Sequence, residues 1–476
     1  MKIAILASEG APYIKSGGLG DVMEALPAAL ARIPGNEVVL FLPYYGSIKE
    51  NQAFSLELVT QFNVTLGWRQ QYCGVLKHKN RADGVQVYFI DNMQYFSGRT
   101  GAIYGHGDDG ERYAFFSKAC LDAMAALGFY PDVIHCNDWQ TALVPVLLRA
   151  RYHTLFPYCK CVFTIHNIAY QGWAEPAFLE DVLALDRAHW GVLEHKGAVN
   201  FMKGAIETAH LVTTVSETYA KELMYPYYAQ GLHDVLANAG SKLIGITNGI
   251  DTHTFDPETD PALPKNYNAT TFTEGKALCK ATLQKEVGLP INPDTPLMVM
   301  VTRLVEHKGL DLLCYGIEAL LQEDVQLLIL GTGEARYEDY FKALAEKYPD
   351  KVAAKITFNL SLASRIYAGG DIYLMPSKSE PCGLSQMNAM RYGTVPVVHQ
   401  TGGLQDTVPG VDDKGENGLG FTFQSYNGED FLVTVKRCLA LYRQNPTAFR
   451  GLQKKDMEQD FGWDKPAQKY MELFSR

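Results

Sequence analysis

Short, almost wholly apolar runs alternate with longer amphipathic ones along this chain, the pattern of a parallel sheet buried on both faces by helices. Residues 2–7 form the first apolar run, which ends in a turn, Lys15-Ser16-Gly17-Gly18-Leu19-Gly20-Asp21-Val22. Apolar residues then recur at helical spacing over 22–33, and 36–43 returns as a strand, so the start reads β-α-β. Residues 54–91 break into shorter strand-like pieces (62–66, 74–77 and 85–90), which predict an excursion from the main sheet. A glycine-rich acidic loop over 101–112 precedes a helix at 113–127. Several further strands end in polar clusters. Residues 132–136 run into Asn137-Asp138-Trp139 and a helix at 141–149, 161–165 into His166-Asn167, 211–215 into Ser216-Glu217, and 242–247 into Asn248-Gly249-Ile250-Asp251. In an open parallel sheet a ligand lies beyond the carboxyl ends of the strands, where these clusters would gather.

The periodicity lapses over 252–273, which holds Pro257, Pro261 and Pro264 and reads as a hinge. It separates a first domain, 1–251, from a second, 274–456, in which the pattern restarts. Strand 297–301 leads through Thr302–Gly309 to a helix at 310–321, strand 325–330 through Gly331–Glu334 to a helix at 335–348, and strand 372–375 into 376–384. A last helix over 457–476 is expected to cross back to the first domain. The predicted fold class is therefore α/β, with two Rossmann-like domains facing across a cleft.

The candidate chemistry sits on the turns. Gly17, Gly18 and Gly20 let backbone N–H groups approach an anion, and Lys15 adds a point charge suited to phosphate oxygens. The spacing is neither a Walker loop nor a dinucleotide fingerprint. In the second half Arg303 and Lys308 stand five apart across a strand-to-helix turn and can share one diphosphate, one as a fork and one as a point charge. Glu380, followed by the amides of Cys382, Gly383 and Leu384, suits sugar hydroxyls, and Thr401-Gly402-Gly403 repeats the strand-glycine-helix form.

Composition narrows the field. A chain of 476 residues suggests two or three domains, and a net charge of −10 with scattered basic residues argues against a nucleic-acid partner. No apolar run reaches the length of a membrane span, and Met1 leads almost directly into the first strand, so a cytoplasmic enzyme with no membrane partner is expected. The nine cysteines show no disulfide framework and the twelve histidines no metal-binding motif, so neither a metal nor a cofactor is expected.

Taken together and in this order, these motifs resemble the bacterial glycogen synthases and starch synthases, retaining glucosyltransferases of family 5 that use ADP-glucose and have the GT-B fold. Lys15–Val22 is similar to the family's Lys-x-Gly-Gly-Leu motif, and Asp138-Trp139, with His135 nearby, to its His-x-Asp-Trp cluster. His166–Gly172 matches His-Asn-x-x-Tyr-Gln-Gly, and Asn200–Ala205, Thr247–Asp251, Lys308-Gly309 and Ser377–Leu384 match further stretches. His307, Asn137 and Lys378-Ser379 stand where the family more often has Gln, His and Arg-Phe.

The resemblance implies transfer of glucose from ADP-glucose to the non-reducing end of an α-1,4-glucan (glycogen, starch or a maltooligosaccharide). By the same resemblance Arg303 and Lys308 neutralise the diphosphate with help from Lys15 and Gly18, and Ser385 touches the distal phosphate or ribose. Asp21 and Asn248 line the cleft, with Gly17, Asn167, Thr401 and Gly402 as further substrate contacts, and Phe358 packs on the base. Glu380 and the Cys382–Leu384 amides grip the glucose, His166 sits beside the anomeric carbon, Asp138 lies near sugar and acceptor, and Tyr104 and Arg112 belong to the acceptor side. Because Asn388 occupies the second position of the broader fold's Glu-x7-Glu pattern, front-face attack within an ion pair is expected rather than double displacement. The competing expectations are an inactive glucan-binding descendant and another enzyme of the same fold, such as a nucleotide-sugar epimerase.

Overall fold

The computed structural model describes residues 1–79, 81–412 and 417–476. It divides into two compact units, 1–248 with 463–476, and 249–462.

The first unit is built on a nine-stranded sheet. In chain order its strands are β1 (Lys2–Leu6), β2 (Glu37–Pro43), β3 (Leu56–Leu66), β4 (Arg69–His78), β5 (Val85–Asp91), β6 (Val133–Asn137) and β7 (Lys160–Ile165). Three short strands, β8 (Trp173–Ala174), β9 (Glu194–His195) and β10 (Ala198–Asn200), form a separate small sheet, and β11 (Leu211–Thr214) and β12 (Leu243–Gly245) complete the main one. The spatial order is β12-β11-β7-β6-β1-β2-β5-β4-β3. All neighbours are parallel except the β3/β4 and β4/β5 pairs. The strand-like pieces of 54–91 thus extend the main sheet as its far edge, with β5 in parallel register beside β2. Every residue of β1 after Lys2 is buried, as expected of a strand covered on both faces.

The helix expected over 141–149 is broken into Trp139–Thr141, Leu143–Leu147 and Leu148–Tyr152 turns of different pitch. Pro145 sits inside this run and removes one of its amide donors. The helix expected at 113–127 starts earlier, at Asp109, and takes in the end of the acidic loop. The C-terminal helix is Asp464–Ser475 and packs on the first unit, where Tyr470 and Phe474 flank the buried His135 ring.

The second unit carries one parallel six-stranded sheet: β13 (Leu297–Val301), β14 (Gln326–Leu330), β15 (Val352–Lys355), β16 (Ile372–Met375), β17 (Val395–His399) and β18 (Phe421–Phe423), in the order β15-β14-β13-β16-β17-β18. The segment expected as a hinge has its polar groups engaged. Residues 252–271 are irregular but tied into this unit: Arg391 donates to the Phe255 and Thr252 carbonyls, the Tyr267 hydroxyl to Tyr392 O at 2.8 Å, and the Tyr392 hydroxyl to Asp260 at 2.6 Å. Prolines break periodicity without loosening a segment whose polar groups are satisfied. The chain passes between the two units at 248/249 and 462/463.

Both main sheets reverse their winding once. In the first the chain steps from β1 outward through β2 and returns to β6 on β1's other side; in the second it steps from β13 through β14 and β15 and returns to β16. At such a switch point the loops after the two strands diverge and leave a crevice for a ligand.

Candidate active site

The loops at the β1/β6 switch point and after neighbouring β7, with the first turn of the helix that follows β1, carry Lys15, Gly17, Gly18, Asp21, Asp138, His166 and Asn167. Gly17 is extended and precedes the helix Gly18–Ala31, and a Cβ added to it would approach no atom closer than 3.9 Å, so nothing in the protein itself requires glycine there. An open approach to the backbone is what a ligand would use. Lys15 Nζ is paired with Asp21 at 2.5 Å.

Asp138 joins the loop after β6 to the loop after β7. Its backbone is held at φ 57°, ψ 179°, a region other residues than glycine rarely occupy, and its Oδ1 accepts the amides of His166 at 2.7 Å and Asn167 at 3.2 Å. Burial pushes its carboxyl up to about 7, against the pull of those two amides and with a further push from nearby Glu9. His166 Nε2 meets Asn137 Oδ1 at 2.9 Å, and burial lowers its imidazole to about 3, so the ring is neutral. The strand ends of the first unit therefore carry an array of fixed dipoles around groups held near neutrality.

Glu9 escaped the sequence reading. It is buried at the end of β1, accepts the Ser16 amide at 2.5 Å and so pins the lysine-glycine turn, with burial raising its pKa. The signal was available: Ser8-Glu9 is a strand-end polar cluster like those after β6 and β7, overshadowed by the glycines that follow.

Tyr104 and Arg112, which the resemblance assigns to the acceptor side, both turn their polar ends onto the protein. The Tyr104 hydroxyl is withdrawn against Ser8 Oγ at 2.7 Å. Arg112 is 1% exposed, lies against the Phe96 and Tyr113 rings, and spends its guanidinium on Tyr95 O, Ile103 O and Asp109. It braces the loop from behind; in a sequence, a buried strut and a ligand-facing arginine look alike. Asn248 is buried, and its Oδ1 finds no partner among the described residues.

In the second unit the loops after β13 and β16 bring Lys308 and Glu380 together although they are 72 residues apart in sequence: Lys308 Nζ lies 2.6 Å from Glu380 Oε2, which also accepts the Ser377 hydroxyl at 3.0 Å. The side chains are 15% and 9% exposed, so this is a mostly desolvated pair. Arg303 is exposed and enters no ion pair among the described residues. Burial, reinforced by Lys308, lowers His307 to about 4 and keeps it from adding charge.

Two glycines let the loops close on this pair. Gly309 (φ +74°) lies where a Cβ would stand 1.9 Å from Pro376 O, and Gly402 (φ +45°) where one would stand 2.0 Å from Glu380 O. Gly403 donates to that same oxygen, so Thr401 and Gly402 after β17 hold the Glu380 turn in place. Cys382, Gly383 and Leu384 continue the turn into the helix Ser385–Arg391, and the Ser385 hydroxyl rests on Met375 Sδ at 3.6 Å. Asn388, an amide rather than a carboxylate, is buried with its Oδ1 unpartnered among the described residues. Phe358, in the loop after β15, is 73% exposed. Among the described residues no group of three or more His, Cys, Asp or Glu side chains is placed to hold a metal, and no helix is long and apolar enough to cross a membrane.

Comparison with known proteins identifies the family. Residues 2–238 match the family model of the starch synthase catalytic domain and 283–444 that of the group 1 glycosyl transferases. The solved catalytic domain of starch synthase IV from Arabidopsis thaliana, bound to ADP and acarbose, superposes with a TM-score of 0.92 at 34% identity, over 100% of this chain and 98% of that one. A sucrose-phosphate synthase from Thermosynechococcus elongatus, 19% identical with a TM-score of 0.63, shares the fold. The fold is thus the two-domain α/β GT-B fold of glycosyltransferases. Glycogen synthases of Exiguobacterium sibiricum (47% identical, 100% of this chain and 98% of the relative) and Streptococcus mutans (45%, 100% and 99%) match from end to end. The chain belongs to the glycogen synthase family.

Proposed function

We propose that this protein transfers glucose from ADP-glucose to the non-reducing end of an α-1,4-glucan with retention of anomeric configuration. The observation that carries the reading is the desolvated Lys308–Glu380 pair at the β13/β16 switch point, with exposed Arg303 on the same loop as Lys308. Arg303 and Lys308 neutralise the diphosphate as the bond from the anomeric carbon to its phosphate oxygen breaks, and Lys15 and Gly18 assist. Glu380 and the Cys382–Leu384 turn hold the sugar hydroxyls. The Glu380 carboxylate is engaged by Lys308 and Ser377, which suits a positioning role better than a nucleophilic one.

Attack by the acceptor hydroxyl then comes from the leaving-group side, its oxygen bonding to the anomeric carbon while its proton passes to the departing phosphate oxygen. The electron-poor sugar is stabilised by dipoles rather than by a formal charge; His166, neutral and anchored through Asn137 and Asp138, provides them. ADP as the leaving nucleotide is supported by the ADP bound to the starch synthase IV domain, and Phe358 offers the base a free aromatic face.

The test is nucleoside diphosphate release from ADP-glucose and UDP-glucose, each with and without glycogen or a maltooligosaccharide. ADP released only with acceptor, alongside a lengthened α-1,4 chain, is the expected result. Release without acceptor points to a hydrolase or epimerase, and no release with glucan still bound points to a binding protein.

A further inference from the structure

Four basic side chains fall within five residues at the end of β4: Lys77, His78, Lys79 and Arg81. In a chain of net charge −10 such a concentration runs against the overall balance. With Glu57 of β3 and Gln86 of β5 they line a basin of about 390 Å³ at the far edge of the first unit's sheet. None of these residues has a part in the reaction described above.

The basin is built rather than merely charged. Glu57 holds Lys79 at 3.2 Å, and Asp83 accepts from Arg81 Nε with both oxygens, at 2.7 and 2.8 Å. The Tyr13 hydroxyl joins His78 Nδ1 at 2.7 Å and Arg81 at 3.4 Å, and the Tyr13 ring packs on Phe54 and Phe89. Lys77 enters no ion pair among the described residues, so it is the uncompensated cation of the group. Clustered ammonium groups on a fixed wall suit phosphate oxygens, while Glu57 and Gln86 supply acceptors for hydroxyls. The volume lies at the lower end of the range for small-molecule sites.

We propose that this basin binds a phosphorylated polyol of sugar-phosphate size, with Lys77 and Lys79 on the phosphate and Gln86 and Glu57 on the hydroxyls. Tyr13, two residues before Lys15, is hydrogen-bonded to His78 and Arg81 of its wall, which ties the basin to the segment leading into the lysine-glycine turn.

Calorimetric titration of the full chain with a hexose monophosphate, inorganic phosphate and the unphosphorylated hexose, each with and without saturating ADP, tests this. The sugar phosphate should saturate one site in the presence of ADP, phosphate should bind more weakly, and the neutral hexose should not bind. Lys77→Met and Gln86→Glu should each weaken binding by at least about tenfold, whereas Lys77→Arg should keep it. Gln86→Glu, an isosteric change on a different strand, decides the matter should Lys77→Met fail to fold. No saturable binding, undiminished binding by both Lys77→Met and Gln86→Glu, or loss of the site when ADP is added would overturn the proposal. Phosphate or neutral hexose binding as tightly as the sugar phosphate would overturn the assignment of the ligand.

Discussion

At the β1/β6 switch point the groups near the strand ends are driven toward neutrality: His166 is lowered to about 3, Asp138 is raised to about 7, and Glu9 is raised as well. At the β13/β16 switch point the charges are kept, with Lys308 on Glu380 and Arg303 left free of any ion pair among the described residues. The topology is the same and the electrostatic treatment opposite. A glucosyl donor has two ends, a dianionic leaving group that needs cations and a transiently electron-poor ring beside which a full positive charge would be repulsive. On the proposed function, the cations of the second unit suit the first need and the dipoles of the first unit suit the second.

The sharpest way to break that contrast is to remove the kept charge. Lys308→Met should lower kcat/KM by about 10³-fold or more and, by leaving Glu380 buried without its partner, cost roughly 3 kcal/mol of stability. Lys308→Met with Glu380→Gln should recover most of the stability in denaturant titration and none of the activity. Recovered activity in the double variant would show the pair to be structural only.

The neutral half is tested at Asp138. Alanine there removes the acceptor for two amides and leaves a strained backbone, and the misplaced His166 should lower kcat on the order of 10²-fold. Asparagine keeps the acceptor and mimics the protonated acid. Because the folded-state pKa of Asp138 is raised, the folded protein binds more protons than the unfolded one between about pH 4 and 7, and stability from this group falls as pH rises through that window. Asp138→Asn should keep measurable activity and abolish that fall. An asparagine variant as inactive as alanine would assign the carboxylate itself to the chemistry.

His135 behaves in the opposite sense and has no catalytic part. It is buried between Tyr470 and Phe474, hydrogen-bonded to Thr164 Oγ1 at 2.6 Å, and lowered by burial to about 3. The unfolded chain binds the extra proton between about pH 3 and 6.5, so stability from this residue rises with pH across that range. It should contribute a loss of about 2 kcal/mol between pH 7 and pH 5, visible as the difference between wild type and His135→Phe in denaturant titrations at the two values. Parallel curves would mean the ring titrates in the folded state.

These residues also mark how far a sequence reading reaches. Strand-end clusters such as Asn137-Asp138 and His166-Asn167, and the loop carrying Arg303 and Lys308, were legible because alternation of apolar runs and polar ends is local. Partnership across the sheet is not local: nothing in the chain's order says that Lys308 will meet Glu380, that Glu9 will hold Ser16, or that Arg112 will turn inward onto Tyr95 and Asp109. The expected hinge segment carries the same lesson. Prolines at 257, 261 and 264 announce irregular backbone, but whether irregular backbone is loose depends on distant partners such as Arg391 and Tyr392.

The smallest expected effect falls on Phe358, which is the reverse of Arg112: a large side chain exposed where the fold gains nothing from it. Phe358→Ala should leave thermal stability within about 0.5 kcal/mol, as for other surface changes, because little apolar area is removed from contact. If the ring stacks on the donor's base, the same change should raise KM for ADP-glucose by roughly fivefold to tenfold, matching the lower end of measured base–aromatic stacking, about 1 kcal/mol. Phe358→Tyr keeps the platform and should keep KM. Since stacking discriminates poorly between bases, the loss should be similar for any nucleotide donor the enzyme accepts. A loss confined to ADP-glucose would instead mean that the ring positions a group reading the adenine edge, and unchanged KM would move the base away from this loop altogether.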